Sequence, residues 1–203
     1  MSRRPDKTTQ EKTPALREGL TRAKVLRFLS LPFRPRLLKP YLAVDRFIDI
    51  PVERLQADGI RGVLLDADGT LCSHHAREFS DEVLRHIEKM TGCGLKVAIY
   101  TNAFEDRFQQ FSGVAVVTDV EAKPDRRGFE TAMREFLGLD DPSSVCMIGD
   151  NFITDGGACA AGMHFIHVRP IEGNEPVFHA LTRRMALSCA RFYFPKAFIN
   201  LSY

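Results

Sequence analysis

Short apolar runs alternate with segments of helical spacing through the middle of the chain. The apolar runs occur at 62–66, 96–100, 114–118, 144–148 and 164–168. The segments with helical spacing lie near 80–91, 104–111, 126–137 and 155–161. Near-continuous apolar strands that alternate with helices are typical of a parallel sheet covered on both faces. Because such crossovers are right-handed, the pattern predicts an α/β fold with a doubly wound, Rossmann-like parallel sheet of five strands.

The two ends of the chain differ from this alternating middle. Residues 1–14 are polar with two prolines and predict a disordered basic tail. Apolar positions within 15–31 are interleaved with Arg and Lys at helical spacing, and we expect 15–58 to be a helical N-terminal extension. The alternating core is expected at 59–172. The segment 173–203 mixes basic and aromatic residues and predicts a C-terminal amphipathic helical tail.

Composition excludes several classes of protein. The chain is 44% hydrophobic and 27% charged, as in ordinary globular proteins. No apolar run approaches the roughly 18 residues of a membrane-spanning helix. The first residues resemble neither a secretory signal nor a mitochondrial transit peptide. The five cysteines show no CxxC and no zinc-ligand spacing, which predicts reduced thiols and a cytoplasmic location.

The formal net charge is +2, but the basic residues are concentrated at the start. Residues 1–40 carry eleven Lys and Arg against three Asp and Glu. A basic arm on a mildly acidic body predicts an anionic partner, either lipid headgroups or nucleic acid. The basic amphipathic ends can pack on the sheet with solvated basic faces, lie in a membrane interface or bind a partner protein. These alternatives stay open at this point.

Polar residues follow the predicted strands, at the edge where doubly wound sheets bind their ligands. They are Asp66, Asp68, Thr101, Asn102, Asp150 and Asp155, with Lys123 at the start of the helical segment that follows the third strand. The pair Asp66 and Asp68 lies directly after a buried apolar run. Two carboxylates so placed repel each other unless positive charge lies between them.

These residues resemble the four motifs of the haloacid dehalogenase superfamily of phosphotransferases. The DxDGT motif is read at 66–70, the Ser/Thr motif at Thr101, the Lys motif at Lys123, and the GDxxxxD motif at 149–155. Each motif alone is weak, but all four occur in order over about residues 60–170. The resemblance implies a Mg²⁺-dependent phosphomonoester hydrolase.

The resemblance also implies a role for each residue. Asp66 would attack phosphorus and form an aspartyl-phosphate. Asp68 would act as general acid and then as general base, and an acid at this position favours hydrolysis of the intermediate. Thr101 and Lys123 would bind the phosphoryl oxygens, and Asn102 would support the backbone around them.

A phosphate ester repels a carboxylate nucleophile, so the site needs compensating positive charge. Mg²⁺ prefers oxygen ligands and usually keeps several waters. We expect Asp66, the main-chain carbonyl of Asp68 and Asp150 to supply ligands. Asp155 would hold a metal-bound water. The cation would then neutralise the acids and the phosphoryl oxygens together.

The motif spacing leaves no room for a cap domain, which many members of this superfamily insert over the site. Only 33 positions separate Asp68 from Thr101, and 21 separate Asn102 from Lys123. Within the capless subclass IIIA branch, the stretches LLKPYLAVDRFIDI and GDNFITDGGACAAGMHFIHVRPI resemble YqeG-like proteins related to mitochondrial phosphatidylglycerophosphate phosphatases. Gly69 departs from that branch, which typically has Asn at this position.

That resemblance implies that the protein converts phosphatidylglycerophosphate to phosphatidylglycerol in phospholipid biosynthesis, with peripheral contact on the inner face of the membrane. The alternatives are a soluble phosphorylated metabolite, a nucleotide or a nucleic-acid end as substrate, and a scaffold with a vestigial site. Nucleic acid is not favoured as a partner, and an oligomer is compatible with the sequence. Further candidates for substrate contact are His74, His75, Arg126, Arg127 and Arg169.

Overall fold

Six parallel strands form one sheet in the computed structural model, which describes residues 21–74, 76, 78–102, 108–111, 113–173, 175–199 and 201. The strands are β1 (Leu42–Val44), β2 (Gly62–Leu65), β3 (Lys96–Ile99), β4 (Ala115–Val116), β5 (Val145–Gly149) and β6 (His164–Val168). Their order across the sheet is β1-β6-β5-β2-β3-β4. Each neighbouring pair is parallel.

Five α-helices accompany the strands in the described part of the chain. They are α1 (Arg22–Ser30), α2 (Val52–Ala57), α3 (Asp81–Gly92), α4 (Arg126–Thr131) and α5 (Val177–Tyr193). A π-helical turn, Ala132–Phe136, extends α4. Short 3₁₀ turns lie at Leu31–Phe33, Pro35–Leu38, Phe47–Asp49, Pro142–Ser144, Asp155–Ala161 and Pro195–Phe198.

The helix starts follow from side chains that accept hydrogen bonds from exposed backbone N–H groups. Thr21, Ser80 and Asp125 cap α1, α3 and α4 in this way. The helical segments predicted near 80–91 and 126–137 are thereby confirmed. Of the helix predicted at 104–111, residues 108–111 form a turn instead, and 104–107 lie outside the described residues, as do the basic tail 1–14 and the first residues of the helix predicted at 15–31.

Successive strand residues point to opposite faces of the sheet, and each face has its own apolar core. Along β2, Val63 and Leu65 pack on the side of α2 and α3, whereas Leu64 packs on the side of α4 and α5. The same alternation places Ile148 on the first side and Met147 on the second. The doubly wound parallel α/β fold is therefore confirmed.

The predicted count of five strands is wrong, because β1 adds a sixth at one edge. Its three residues pair with β6, with Leu42 opposite Ile166. The strand lies inside 15–58, which was expected to be helical. An apolar run of three residues is too short to show the period of a strand, and its partner is more than a hundred residues away in sequence. The proposed division of the chain at residues 14, 58 and 172 stays a prediction.

The strand order reverses next to β2, which places a crevice at the carboxyl ends of β2 and β5. The chain runs from β2 outward to β3 and β4, then returns to β5 on the other side of β2. Ligands of doubly wound sheets bind at such a reversal. The residues that follow β2, β3 and β5 are therefore brought to one edge.

The segments at both ends of the described chain pack against this core, with Leu31 and Leu38 buried on the side of α1. Ala186 and Ala190 of α5 are buried, and the Tyr193 hydroxyl donates to the carbonyl oxygen of Pro32 at 2.8 Å. The sequence left three roles open for the basic amphipathic ends, namely packing on the sheet, membrane contact and binding of a partner protein. One face of α5 packs on the sheet. Among the described residues, no helix combines the length and the apolar character needed to cross a membrane.

His167 on β6 is an unusual member of the core. The residue is buried, and neither ring nitrogen has a hydrogen-bond partner within the described residues. Its ring stacks on Phe152 with the ring centroids 5.2 Å apart. Burial lowers the pKa of His167 to about 3, and the charges of Arg183 and Arg191 act in the same direction. The imidazole is therefore neutral in the folded protein at neutral pH.

Replacing this histidine by leucine should make the fold less sensitive to acid. The unfolded chain takes up a proton at this residue below about pH 6.5, whereas the folded protein does not until about pH 3. The contribution of His167 to the stability therefore falls as the pH drops below 6.5. Between about pH 7.5 and about pH 5.5, His167→Leu should lose about 1.4 kcal/mol less unfolding free energy than the wild type. Urea denaturation at the two pH values measures the difference, and equal losses would contradict this account.

Candidate active site

Three buried carboxyl groups meet at the carboxyl ends of β2 and β5. Asp66 directly follows β2, Asp150 directly follows β5, and Asp155 begins the 3₁₀ turn after β5. Each offers one oxygen, and these oxygens all lie within 4.8 Å of one another. The sheet pairing of β2 with β5 is what brings these residues together, since Leu65 lies opposite Ile148.

The ammonium group of Lys123 lies between two of these acids. Its Nζ is 2.6 Å from Asp66 Oδ1 and 2.6 Å from Asp155 Oδ1. Asn102, after β3, holds the main chain at this lysine. Its side chain accepts from the N–H of Lys123 at 3.1 Å and donates to the carbonyl oxygen of Lys123 at 3.4 Å. The chain segments after β2, β3, β4 and β5 are thereby joined in one polar cluster.

Asp155 reaches this cluster because the residue at the end of β5 is a glycine. A Cβ at Gly149 would lie 2.4 Å from the Asp155 carboxyl carbon, far inside contact distance. The backbone N–H of Asn151 also donates to Asp155 Oδ2 at 3.1 Å. Both carboxylate oxygens of Asp155 are therefore held, one by an ammonium group and one by a backbone amide.

The acids are shifted toward their neutral forms. Burial raises the pKa of Asp66 to about 6, with a further increase from the charge of Asp155. Burial likewise raises the pKa of Asp150 to about 7 and raises that of Asp155. Burial alone would lower the pKa of Lys123, but the charges of Asp155 and Asp66 outweigh it, and the net shift is upward. The site therefore lacks positive charge relative to its carboxylates.

A cavity of about 470 Å³ opens onto this cluster. The predicted residues Asp66, Asp68, Thr101, Asn102, Lys123 and Asp150 line it, and Asp155 lies behind them, fully buried. Apolar side chains line another part of the cavity, namely Val25, Phe28, Ile153 and Phe178. The structure thus combines a charged floor with an apolar wall.

The terminal helices supply residues that the sequence analysis did not assign to the site. Lys24 and Phe28 come from α1, and His179 and Thr182 come from α5. Arg183 of α5 donates a hydrogen bond to Asp150. The basic character of both ends was visible in the sequence. Which basic residue faces the cavity was not, because it depends on how each helix packs.

The further candidates for substrate contact are placed differently. His74 lines the cavity, and His75 lies outside the described residues. Arg126 and Arg127 are exposed and pair with Glu130 and Asp125 rather than lining the cavity. Arg169 lies 3.7 Å from Asp45 and does not line it either.

The donor set fits a divalent cation. Asp66, Asp150 and Asp155 offer carboxylate oxygens at a spacing that one ion can bridge, and hard cations such as Mg²⁺ prefer such ligands. Burial raises the pKa values of these acids, and a bound cation would favour their charged forms. The side chain of Asp68 lines the cavity outside this trio. A role for its carbonyl oxygen as ligand stays a prediction.

This fold and these residues define a class, the phosphatases of the haloacid dehalogenase superfamily. The sequence profile of the family described as "Mitochondrial PGP phosphatase" matches residues 22–163, more than half of the chain, and the chain belongs to this family. The predicted superfamily is therefore confirmed.

Two further proteins are similar to the chain. "Probable phosphatase YqeG" of Bacillus subtilis (strain 168) is 27% identical over 157 residues, which are 73% of this chain and 90% of the relative. The crystal structure of an uncharacterized protein from Listeria monocytogenes serotype 4b has a TM-score of 0.45 and 19% identity, and the match covers 66% of this chain and 99% of that one.

Removing the bridging ammonium group should strongly destabilise the metal-free protein. Lys123→Met leaves two buried carboxyl groups without the cation that pairs them, and losing one partner of a buried pair costs about 3–5 kcal/mol. Urea denaturation in the presence of a chelator measures the loss. Lys89→Met is the matched control, because Lys89 pairs with Glu53 on the exposed surface and its removal should have no comparable effect. Equal losses in both variants would contradict a stabilising bridge.

Proposed function

We propose that the protein is a Mg²⁺-dependent phosphomonoester hydrolase that dephosphorylates phosphatidylglycerophosphate at a membrane surface. The observation that supports the catalytic part is the trio of buried acids beside a cavity that Asp68 also lines, with Lys123 bridging two of the three acids. The lipid substrate is supported by the description of the matching family and by the apolar wall of the cavity.

In the proposed reaction, Asp66 is the nucleophile. One of its carboxylate oxygens forms a bond to phosphorus while the bond from phosphorus to the ester oxygen of the substrate breaks. Asp68 gives a proton to that leaving oxygen. Asp68 then removes a proton from a water molecule, whose oxygen attacks the phosphorus of the aspartyl-phosphate. Inorganic phosphate leaves, and the Asp66 carboxylate is restored.

The other residues hold the phosphoryl group and the nucleophile in place. Lys123 already contacts Asp66, so its ammonium group can donate to the phosphoryl oxygens as they approach. Thr101 lines the cavity at the end of β3 and would donate its hydroxyl, while Asn102 fixes the main chain of Lys123. A bound Mg²⁺, held by Asp66 and Asp150 with Asp155 beside it, would supply positive charge to the carboxylates and to the phosphoryl oxygens.

The apolar wall fits a substrate whose phosphate is attached to a lipid. Phe28 of α1 and Phe178 of α5 lie on the same cavity as the acids, together with Val25 and Ile153. A small, fully polar phosphate ester would make no apolar contact with these side chains. In phosphatidylglycerophosphate the terminal phosphate is joined to the acyl chains through a glycerol and a phosphodiester, so the apolar side chains would contact the substrate on its lipid side.

The exposed face of α5 supports contact with a membrane. Phe178, Leu181 and Met185 follow one another at helical spacing on the same face, with exposed fractions of 51%, 54% and 49%. On α1, Leu26 and Leu29 are exposed in the same manner. Exposed basic residues occur in α1, in the segment that follows it and in α5, namely Arg22, Arg34, Arg36 and Arg184. Such a combination favours an interface that contains anionic lipid.

Asp66→Asn should abolish the hydrolysis of any phosphomonoester, because the neutral amide does not attack phosphorus. Loss of a catalytic nucleophile typically lowers kcat by a factor on the order of 10⁴ or more. Phosphate release from p-nitrophenyl phosphate with saturating Mg²⁺ measures the loss. The exposed Asp140→Asn, which removes the same charge, should keep full activity. An active Asp66→Asn enzyme with a normal melting curve would refute the mechanism.

Phosphatidylglycerophosphate in phosphatidylcholine vesicles should be hydrolysed, and the double variant Leu181→Asp with Met185→Asp should lower that rate by at least about tenfold. Its rate on p-nitrophenyl phosphate should be unchanged, because neither residue lines the cavity. The control is Arg61→Gln with Arg134→Gln, which makes the same change in net charge at other exposed positions. Turnover of the soluble ester without turnover of the lipid by the wild type would exclude the lipid substrate. An equal loss on both substrates in the Asp variant would exclude the membrane surface.

A further inference from the structure

A buried chain of ion pairs connects the C-terminal helix to the acid cluster. Arg183 of α5 donates through Nη1 to Asp150 Oδ2, and its Nη2 lies 2.8 Å from Glu175 Oε2. The side chains of Arg183, Asp150 and Glu175 are only 11%, 5% and 9% exposed. Both ends of the guanidinium fork are therefore held, one by an acid of the site and the other by an acid just before α5.

Gly69 provides the space for this contact. Its φ is +79°, and a Cβ there would lie 2.8 Å from Asp150 Oδ2 and 3.6 Å from Arg183 Nη1. The carbonyl oxygen of Gly69 also accepts a hydrogen bond from the N–H of Ile171 at 2.8 Å. The turn that follows Asp68 is thus hydrogen-bonded to the segment that leads into α5. The missing side chain at Gly69 also lets Arg183 reach Asp150.

We propose that Arg183 is a positioning residue for the cation site. By holding one oxygen of the Asp150 carboxylate, the guanidinium group fixes the orientation in which this acid, together with Asp66, ligates a divalent cation next to Asp155. Glu175 in turn fixes the guanidinium group. The inference rests on the proposed function, because it takes Asp150 to be a metal ligand.

Arg183 can affect cation binding in two ways, and these predict opposite changes in Mg²⁺ affinity when the arginine is removed. A positive charge beside a ligand repels the incoming cation, so its removal would tighten binding. A residue that orients a ligand has the reverse effect, and removal of such outer partners typically weakens metal binding by about 10–100-fold. The rigid fork between two buried acids favours orientation over repulsion. A helix anchor without influence on the ligand would change stability and leave cation affinity as it was.

The test measures Mg²⁺ binding to the full chain by isothermal titration calorimetry. Arg183→Met should bind Mg²⁺ about 10–100-fold more weakly than the wild type. Glu175→Gln should weaken binding in the same direction but less, because it acts through the arginine. Arg184→Met is the matched control, since this neighbour on α5 is exposed and carries the same charge. It should bind as the wild type does.

Unchanged or tighter Mg²⁺ binding by Arg183→Met would overturn the proposal. Should that variant fail to fold, Arg183→Lys carries the test, because lysine keeps the charge but not the fork that reaches both acids. Arg183→Lys should bind Mg²⁺ more weakly than the wild type does. An affinity equal to that of the wild type would overturn the proposal. The rise in melting temperature on adding Mg²⁺ to chelator-treated protein should shrink in parallel with the affinity.

The proposed function can fail separately from this inference. A wild type that binds no Mg²⁺ would overturn both, since no cation site would exist. A wild type whose binding is lost in Asp150→Asn but kept in Arg183→Met would overturn the role of the arginine alone. The proposed hydrolase would then stand.

Discussion

Carboxyl groups buried within a few ångströms of one another repel, and the organisation of this site follows from that repulsion. Two unit charges about 5 Å apart interact by about 3 kcal/mol at the effective dielectric of a protein interior. The acids after β2 and β5 form three such pairs, since their ligand oxygens lie within 4.8 Å of one another. Lys123 and Arg183 each supply part of the opposing charge. Burial nevertheless keeps the pKa values of Asp66 and Asp150 raised, and a divalent cation bound between them would favour their charged forms.

Local patterns in the sequence were sufficient for the central sheet and for most of the acid cluster. The five apolar runs are long or continuous enough to be recognised, and parallel strands bring the residues after them to one edge. Contacts across the chain were not accessible in this way. The strand β1 has three residues and a distant partner. Arg183 and Arg184 are adjacent in sequence and alike in chemistry, and only the packing of α5 buries the first and exposes the second.

Segments at both ends of the described chain complete a cavity that the motif-bearing core leaves open. In place of an inserted cap domain, α1 brings Lys24 and Phe28 to the cavity, and α5 brings Phe178 and His179. The same two helices expose apolar side chains to solvent. The phosphatase chemistry and the proposed contact with lipid thus share their structural elements, and a change in the packing of either helix would affect both.

The pairing of β1 with β6 has a consequence for the synthesis of the protein on the ribosome. Leu42 emerges early but finds its partner Ile166 only after more than a hundred further residues have been translated, which takes about 6–25 s at common elongation rates. Arg183 emerges later still. The nascent chain therefore has its central strands and its acids before the edge strand β1 can pair and before Arg183 can reach Asp150.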